Sequence, residues 1–206
     1  MIHVDMQPEP AKFDGLVRQP GKAFLSAHPN PTTEQWDANS YWRGILRDIR
    51  RAYGKVCAYS CHWVPADTGG RSVEHFVPKH REPSLAYEWS NYRFICSTLN
   101  ARKRDYIDVL DPFGIEDGWF TIEFPSLYVK AARDLPAELS AQVQATIKRL
   151  KLNDEETCLE NRAHYVELYC RRRVPFEYLQ THAPFIAREL ERQDLVESIR
   201  TIMIYD

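Results

Sequence analysis

The chain has 206 residues, 44% of them apolar, which is enough to bury one good core without requiring two independent domains. No apolar run approaches the roughly 18 uninterrupted residues of a membrane helix, and the acidic, proline-bearing start MIHVDMQPEPAKFDG lacks the basic and apolar stretches of a secretory signal. With 27 Lys and Arg against 29 Asp and Glu, a formal charge of −2, the composition also argues against binding nucleic acid through bulk positive charge.

Five cysteines, an odd number without framework spacing, read as reduced thiols or metal ligands, so a cytoplasmic protein is expected. No repeat or low-complexity tract is visible, and three regions differ in character: 1–54, 55–125 and 126–206. In the first, residues 1–30 show little periodicity and read as a tail. The run NPTTEQWDANSYWRGILRDIRRAY then predicts one helix, with Trp36, Tyr41, Trp42, Ile45, Leu46 and Ile49 on a single stripe.

The middle region is aromatic, β-branched and punctuated by turns. KVCAYSCHWV and SVEHFVPKH, separated by PADTGGR, predict a hairpin, and FICSTLNARKRDYIDVL predicts a short helix opening near Cys96. DPFGIEDGWFTIEF predicts a strand pair with Gly114 and Gly118 at turns. Beyond it the chain turns helical, with helices expected from Leu139 to Leu150, in LNDEETCLENRAHYVELYCRR and in PFIARELERQDLVESIRTIM. The fold class expected is therefore α+β and mostly helical.

Within SVEHFVP, Glu74 and His75 would point to opposite faces of a strand unless the strand ends there, and Pro78 makes that ending credible. A carboxylate beside an imidazole at a strand end can divide two tasks, gripping a hard cation and facing substrate water. Taken alone the pair is a weak signal, because a strand histidine is more often a hydrogen-bonded structural residue. The downstream segment WSNYRFICSTLNARK adds Asn91, then Asn100 on the expected helix and Lys103 after it.

This set resembles the HNH nuclease family. Its ββα-metal motif runs acidic-His on the first strand, Asn in the connecting loop, and His or Asn on the helix before a Lys. The resemblance implies a small ββα-metal core over 55–125, embedded in a mostly helical domain. It implies that His75 deprotonates water, that Glu74 and Asn100 ligate one Mg²⁺ or Mn²⁺, and that Asn91 braces the loop orienting His75. Lys79 and Lys103, beside these groups, are candidate phosphate contacts.

Two departures matter. Glu74 stands where many members carry Asp, and the family's structural zinc quartet is broken: Cys57, Cys61 and Cys96 are present, but Leu99 occupies the fourth position unless His62 replaces it. A structural zinc is disfavoured, and the three cysteines read as a remnant packed in the core.

The strings CAYSC, VEHFVPK, LAYEWSNY, NARK and LKLN look most like the PtuB-type HNH nucleases of Septu anti-phage systems and some retrons. That resemblance implies an antiviral effector gated by a PtuA-like ATPase of ABC or AAA type. It leaves DNA versus RNA, and pairing with a second copy of the chain, open. Two other readings stay in view, a non-catalytic HNH-like adaptor and a zinc-ribbon structural protein. Trp63, Tyr87, Trp89 and Tyr92 are expected to fill the core rather than stack on bases.

Overall fold

The structure, a computed structural model, describes residues 1–67 and 70–203. It divides into two units, taken here one at a time: Asp5–Lys55 with Val64–Ile107, and Met1–Val4 with Val56–Trp63 and Asp108–Asp206. Residues 1–54 and the middle segment through Ile107 thus fall largely in the first unit, and everything from Asp108 on falls in the second. The architecture is α+β and mostly helical, with two small antiparallel sheets. Among the described residues, no helix is long and apolar enough to cross a membrane.

In the first unit the segment read as a tail contains a helix, α1 (Gln19–Ala27), entered through one wider helical turn at Asp14–Arg18. It escapes a periodicity search because its contact is made by a glycine. A methyl group on Gly21 would lie 2.1 Å from the Tyr87 ring, so α1 approaches Tyr87 only because that position has no side chain.

The single helix expected after Thr32 is instead broken into α2 (Thr33–Ala38), a 3₁₀ turn at Tyr41–Ile45, and α3 (Leu46–Ala52). Thr32 and Gln35 cap α2 reciprocally. The break is local chemistry: Asn39 Nδ2 donates to Gln35 O at 2.8 Å and Ser40 Oγ to Trp36 O at 3.0 Å, which offers the backbone an alternative to continued helix. The stripe survives the break, since Trp36, Trp42, Ile45 and Ile49 are all buried.

β1 (Arg71–His75) does not pair with the segment before it, as the expected hairpin required. Its antiparallel partner is β2 (Tyr92–Cys96), in a register that sets Glu74 opposite Arg93 and His75 opposite Tyr92. Tyr92, Arg93, Phe94 and Ile95 are buried in succession, a strand covered on both faces. α4 (Ser97–Lys103) follows β2 directly and packs on both strands, so this part runs β-β-α.

In the second unit Val56–Trp63 closes on itself. Val56 bridges Trp63, Cys57 N–H donates to His62 O and Cys61 N–H to Cys57 O, with Cys61 at φ +55°. The strand pair lies slightly later than expected: β3 (Phe120–Glu123) pairs with β4 (Tyr128–Ala131), while Gly114 and Gly118 shape the approach to β3.

Both outer edges of this sheet are closed by side chains that imitate a neighbouring strand. Glu189 accepts from Ile122 N–H and Gln193 donates to Ile122 O, while Asn153 accepts from Val129 N–H and donates to Val129 O. Helices α5 (Ala137–Leu150), α6 (Glu160–Cys170), α7 (Phe176–His182), α8 (Pro184–Arg192) and α9 (Ile199–Ile202) complete the unit. Buried Arg162 donates to Leu127 O at 2.8 Å and Leu152 O at 2.7 Å, tying α6 to the turn before β4.

The Gly21–Tyr87 approach yields a measurable consequence. Gly21→Ala overpacks a closed contact and is expected to destabilise by about 1–3 kcal/mol despite alanine's better helix propensity. Urea denaturation checks this, and a variant as stable as the parent would show that α1 does not sit so close.

Candidate active site

The end of β1 is made by one buried side chain on another segment. Asn91 lies in a single 3₁₀ turn, Trp89–Asn91, just ahead of β2. Its Oδ1 accepts from Val77 N–H at 2.8 Å, and its Nδ2 donates to Val77 O at 3.0 Å and Leu85 O at 3.1 Å. Its backbone carbonyl takes Phe76 N–H at 2.9 Å. The amide thereby satisfies the chain where the ladder stops and holds the loop that leaves His75.

His75 Nε2 lies 2.9 Å from Ala86 O. A carbonyl only accepts, so Nε2 carries the hydrogen and, in the neutral ring, Nδ1 holds the lone pair. The same carbonyl accepts from Tyr92 OH at 2.7 Å. Trp42 and Tyr92 stand edge-on to the imidazole, with ring centroids 4.6 and 5.1 Å away. Burial pushes the imidazole down to about 3, opposed by the Ala86 hydrogen bond and assisted by Lys79, Lys103 and His80, so the ring is neutral at ordinary pH.

Glu74, on the neighbouring strand position, is 2% exposed, and its Oε1 lies 2.6 Å from Lys103 Nζ. Lys103 was expected as a phosphate contact beside Lys79; instead it is turned inward and wholly buried, donating also to Phe76 O at 3.0 Å. The reason is its place on the inner face of α4, against β1. One turn earlier on that face, Asn100 Nδ2 donates to Ser72 Oγ at 2.6 Å, which leaves the carbonyl Oδ1 as the free end of the amide.

These groups line a cleft of about 520 Å³ in the first unit. Glu74, His75 and Asn100 share its wall with Ser72, Trp42, the basic residues Arg43, Arg71, Lys79, His80 and Arg104, and the acids Asp37 and Asp105. The Lys79 ammonium lies 5.2 Å above the Trp42 ring and 5.8 Å above that of Trp36. Burial lowers its pKa, with Asp37 and Asp105 opposing and Arg43 assisting. His80 Nε2 stands 2.8 Å from Asp105 Oδ2.

Sequence reasoning did not find Trp42, Ser72, Arg43, Arg71 or the His80–Asp105 pair, since each joins the site through folding rather than through a local pattern. Tyr87, Trp89 and Tyr92 are buried, as aromatics filling a small core should be, whereas Trp63 is part-exposed.

Cys57 and Cys61 are buried in the second unit, and Cys96 belongs to the first. Among the described residues, no group of three His, Cys, Asp or Glu side chains is disposed to hold a metal ion. His62, the alternative fourth ligand, is buried with Nε2 unpartnered, and burial, then Arg162, pushes its imidazole down to about 3.

Compared with known proteins, the chain matches no family model and no curated protein.

Two outcomes are expected. Lys103→Met removes the buried cation at 2.6 Å from the Glu74 carboxylate and should destabilise by about 3–5 kcal/mol, read by urea denaturation; a loss near zero would mean the pair is solvated. For His62, the folded ring at about 3 lies below its ordinary value of 6.5. The unfolded chain therefore binds the proton first, and stability present above pH 6.5 is lost as pH falls toward 3. Thermal melts across that window should show His62→Phe less acid-sensitive than the parent; parallel curves would remove His62 from the account.

Proposed function

We propose that the cleft is the active site of a metal-dependent endonuclease of HNH type, hydrolysing phosphodiester bonds. The observation that carries this reading is that Glu74, His75 and Asn100, separated in sequence, line one basic cleft on a β-β-α unit, with Asn91 fastening the loop between them. The donor set suits a hard cation. One carboxylate and one carboxamide oxygen leave most positions to water and phosphate, as Mg²⁺ or Mn²⁺ requires. When bound, such a cation supplies charge neutralisation on the scissile phosphate and the leaving oxygen.

The chain's own residues do the rest. His75 takes a proton from the attacking water at Nδ1, its Nε2 being held by Ala86 O. Although burial weakens the free ring as a base, a phosphodiester anion beside it favours the protonated form, so the base strengthens as substrate arrives. Arg43, Arg71, Lys79 and Arg104 hold the phosphate chain. Lys103 neutralises part of the Glu74 charge internally, so Glu74 by itself would hold a cation only weakly.

With a net charge of −2, this reading includes delivery of nucleic acid by a partner, an ATPase subunit of a cytoplasmic anti-phage system. DNA is the favoured target, and nothing in the cleft walls discriminates against RNA. A second reading, a non-catalytic adaptor, is favoured by one specific feature: the Glu74 carboxylate already has a buried cationic partner in Lys103.

The test is cleavage of nucleic acid with Mg²⁺ or Mn²⁺ by the parent and by His75→Ala. A rate loss of about 100- to 10,000-fold is expected for removing a general base. Undiminished cutting by the variant would overturn the role of His75, and a parent that neither cuts nor binds Mn²⁺ in the presence of an oligonucleotide would favour the adaptor.

A further inference from the structure

The cleft holds a second imidazole. His80 follows the end of β1 and lines the same walls as His75, Glu74 and Asn100, with Nε2 held 2.8 Å from Asp105 Oδ2 on the segment leaving α4. The surroundings of the two rings differ. His75 packs against Trp42 and Tyr92 with Nε2 on Ala86 O, whereas His80 is 52% exposed beside a carboxylate. Two imidazoles on one cleft wall, one fixed by a backbone carbonyl and the other by a carboxylate, can divide base and acid work between them.

We propose that His80 is the general acid of this site and Asp105 its positioning residue. The proposal rests on the nuclease reading above and deepens it. The Asp105 carboxylate accepts from Nε2–H, so Nδ1 is the nitrogen from which a proton would pass to the leaving group. Water oxygen forms the new O–P bond as His75 Nδ1 takes its proton. The P–O bond to the leaving sugar oxygen breaks, its electron pair stays on that oxygen, and the His80 Nδ1 proton neutralises it. His80 ends neutral and His75 charged, and one proton exchanged with solvent at each ring restores the start. Lys79, Asp37 and Arg104 share the cleft but pair with no imidazole, so His80 and Asp105 form its distinct acid device.

The experiment uses oligonucleotides in which sulfur replaces the bridging oxygen at one phosphodiester, on either the 3′ or the 5′ side, cut in Mn²⁺. A thiolate departs without protonation. His80→Ala should be slowed about 100- to 10,000-fold on the oxygen substrate yet stay within about 10-fold of the parent on the sulfur substrate that matches the leaving group. Asp105→Asn should lose less and be rescued by the same sulfur substrate, while His75→Ala should be impaired on both. Because His80 is largely exposed, its variant is expected to fold as the parent does, checked by circular dichroism.

Equal loss on oxygen and sulfur would make His80 a binding or structural residue, and an unchanged rate on oxygen would remove it from catalysis. Either result overturns this proposal while leaving His75 in place. A parent that cuts neither substrate, or a His75→Ala chain that cuts both normally, overturns the nuclease reading itself and this proposal with it.

Discussion

The buried ion pair between Lys103 and Glu74 is the contact on which the arrangement of the first unit turns. It fastens the inner face of α4 to the last residues of β1. Lys103 and Asn100 stand three residues apart on one helix and so share that face. Once the ammonium is drawn to Glu74, the carboxamide must lie along β1, where Ser72 receives it. The geometry of the cleft wall thus follows from one electrostatic contact between a wall residue and the buried lysine behind it. Removing two charges from water is costly, and here part of the cost is offset by a further bond, the ammonium also reaching Phe76 O.

His75 is positioned by a different means, through backbone carbonyls rather than charge. Ala86 O collects Nε2–H of His75 and the hydroxyl of Tyr92, and Ala86 stays where it is because Asn91 ties Leu85 and Val77 together. A ring held this way has a defined tautomer and little freedom to turn. The four residues singled out by their types are therefore placed differently: Glu74, His75 and Asn100 line the cleft, and Asn91 fixes the loop behind His75.

What could be read beforehand follows from the range over which each signal acts. The short helix carrying Asn100 was visible because Cys96 and the apolar run before it mark a strand-to-helix boundary within a few residues. The ending of β1 near Pro78 was equally local. The partner of β1 was not, because choosing Tyr92–Cys96 over the adjacent KVCAYSCHWV depends on burying a continuous apolar strand on both faces, which only the assembled core decides. α1 was missed since a glycine makes its key contact, and the inward turn of Lys103 was missed since a lysine beside a motif looks the same in sequence whether it meets a phosphate or a carboxylate. The His80–Asp105 pair joins two loops that only the fold brings together.

The charge of the whole chain and the charge of the cleft pull in different directions, and the internal pairing explains how both hold. Glu74 contributes little field to the cleft because Lys103 cancels it at 2.6 Å, both groups being buried. The cleft potential is then set by Arg43, Arg71, Lys79 and Arg104 against Asp37 and Asp105, a local cationic excess on a chain whose sum is −2. Such a surface attracts an anion over the few ångströms of the cleft but does not gather polyanions from solution, since exposed charges beyond about 8–10 Å are screened at ordinary ionic strength. The local cationic excess is thus a property of where the charges are paired rather than of how many the chain carries.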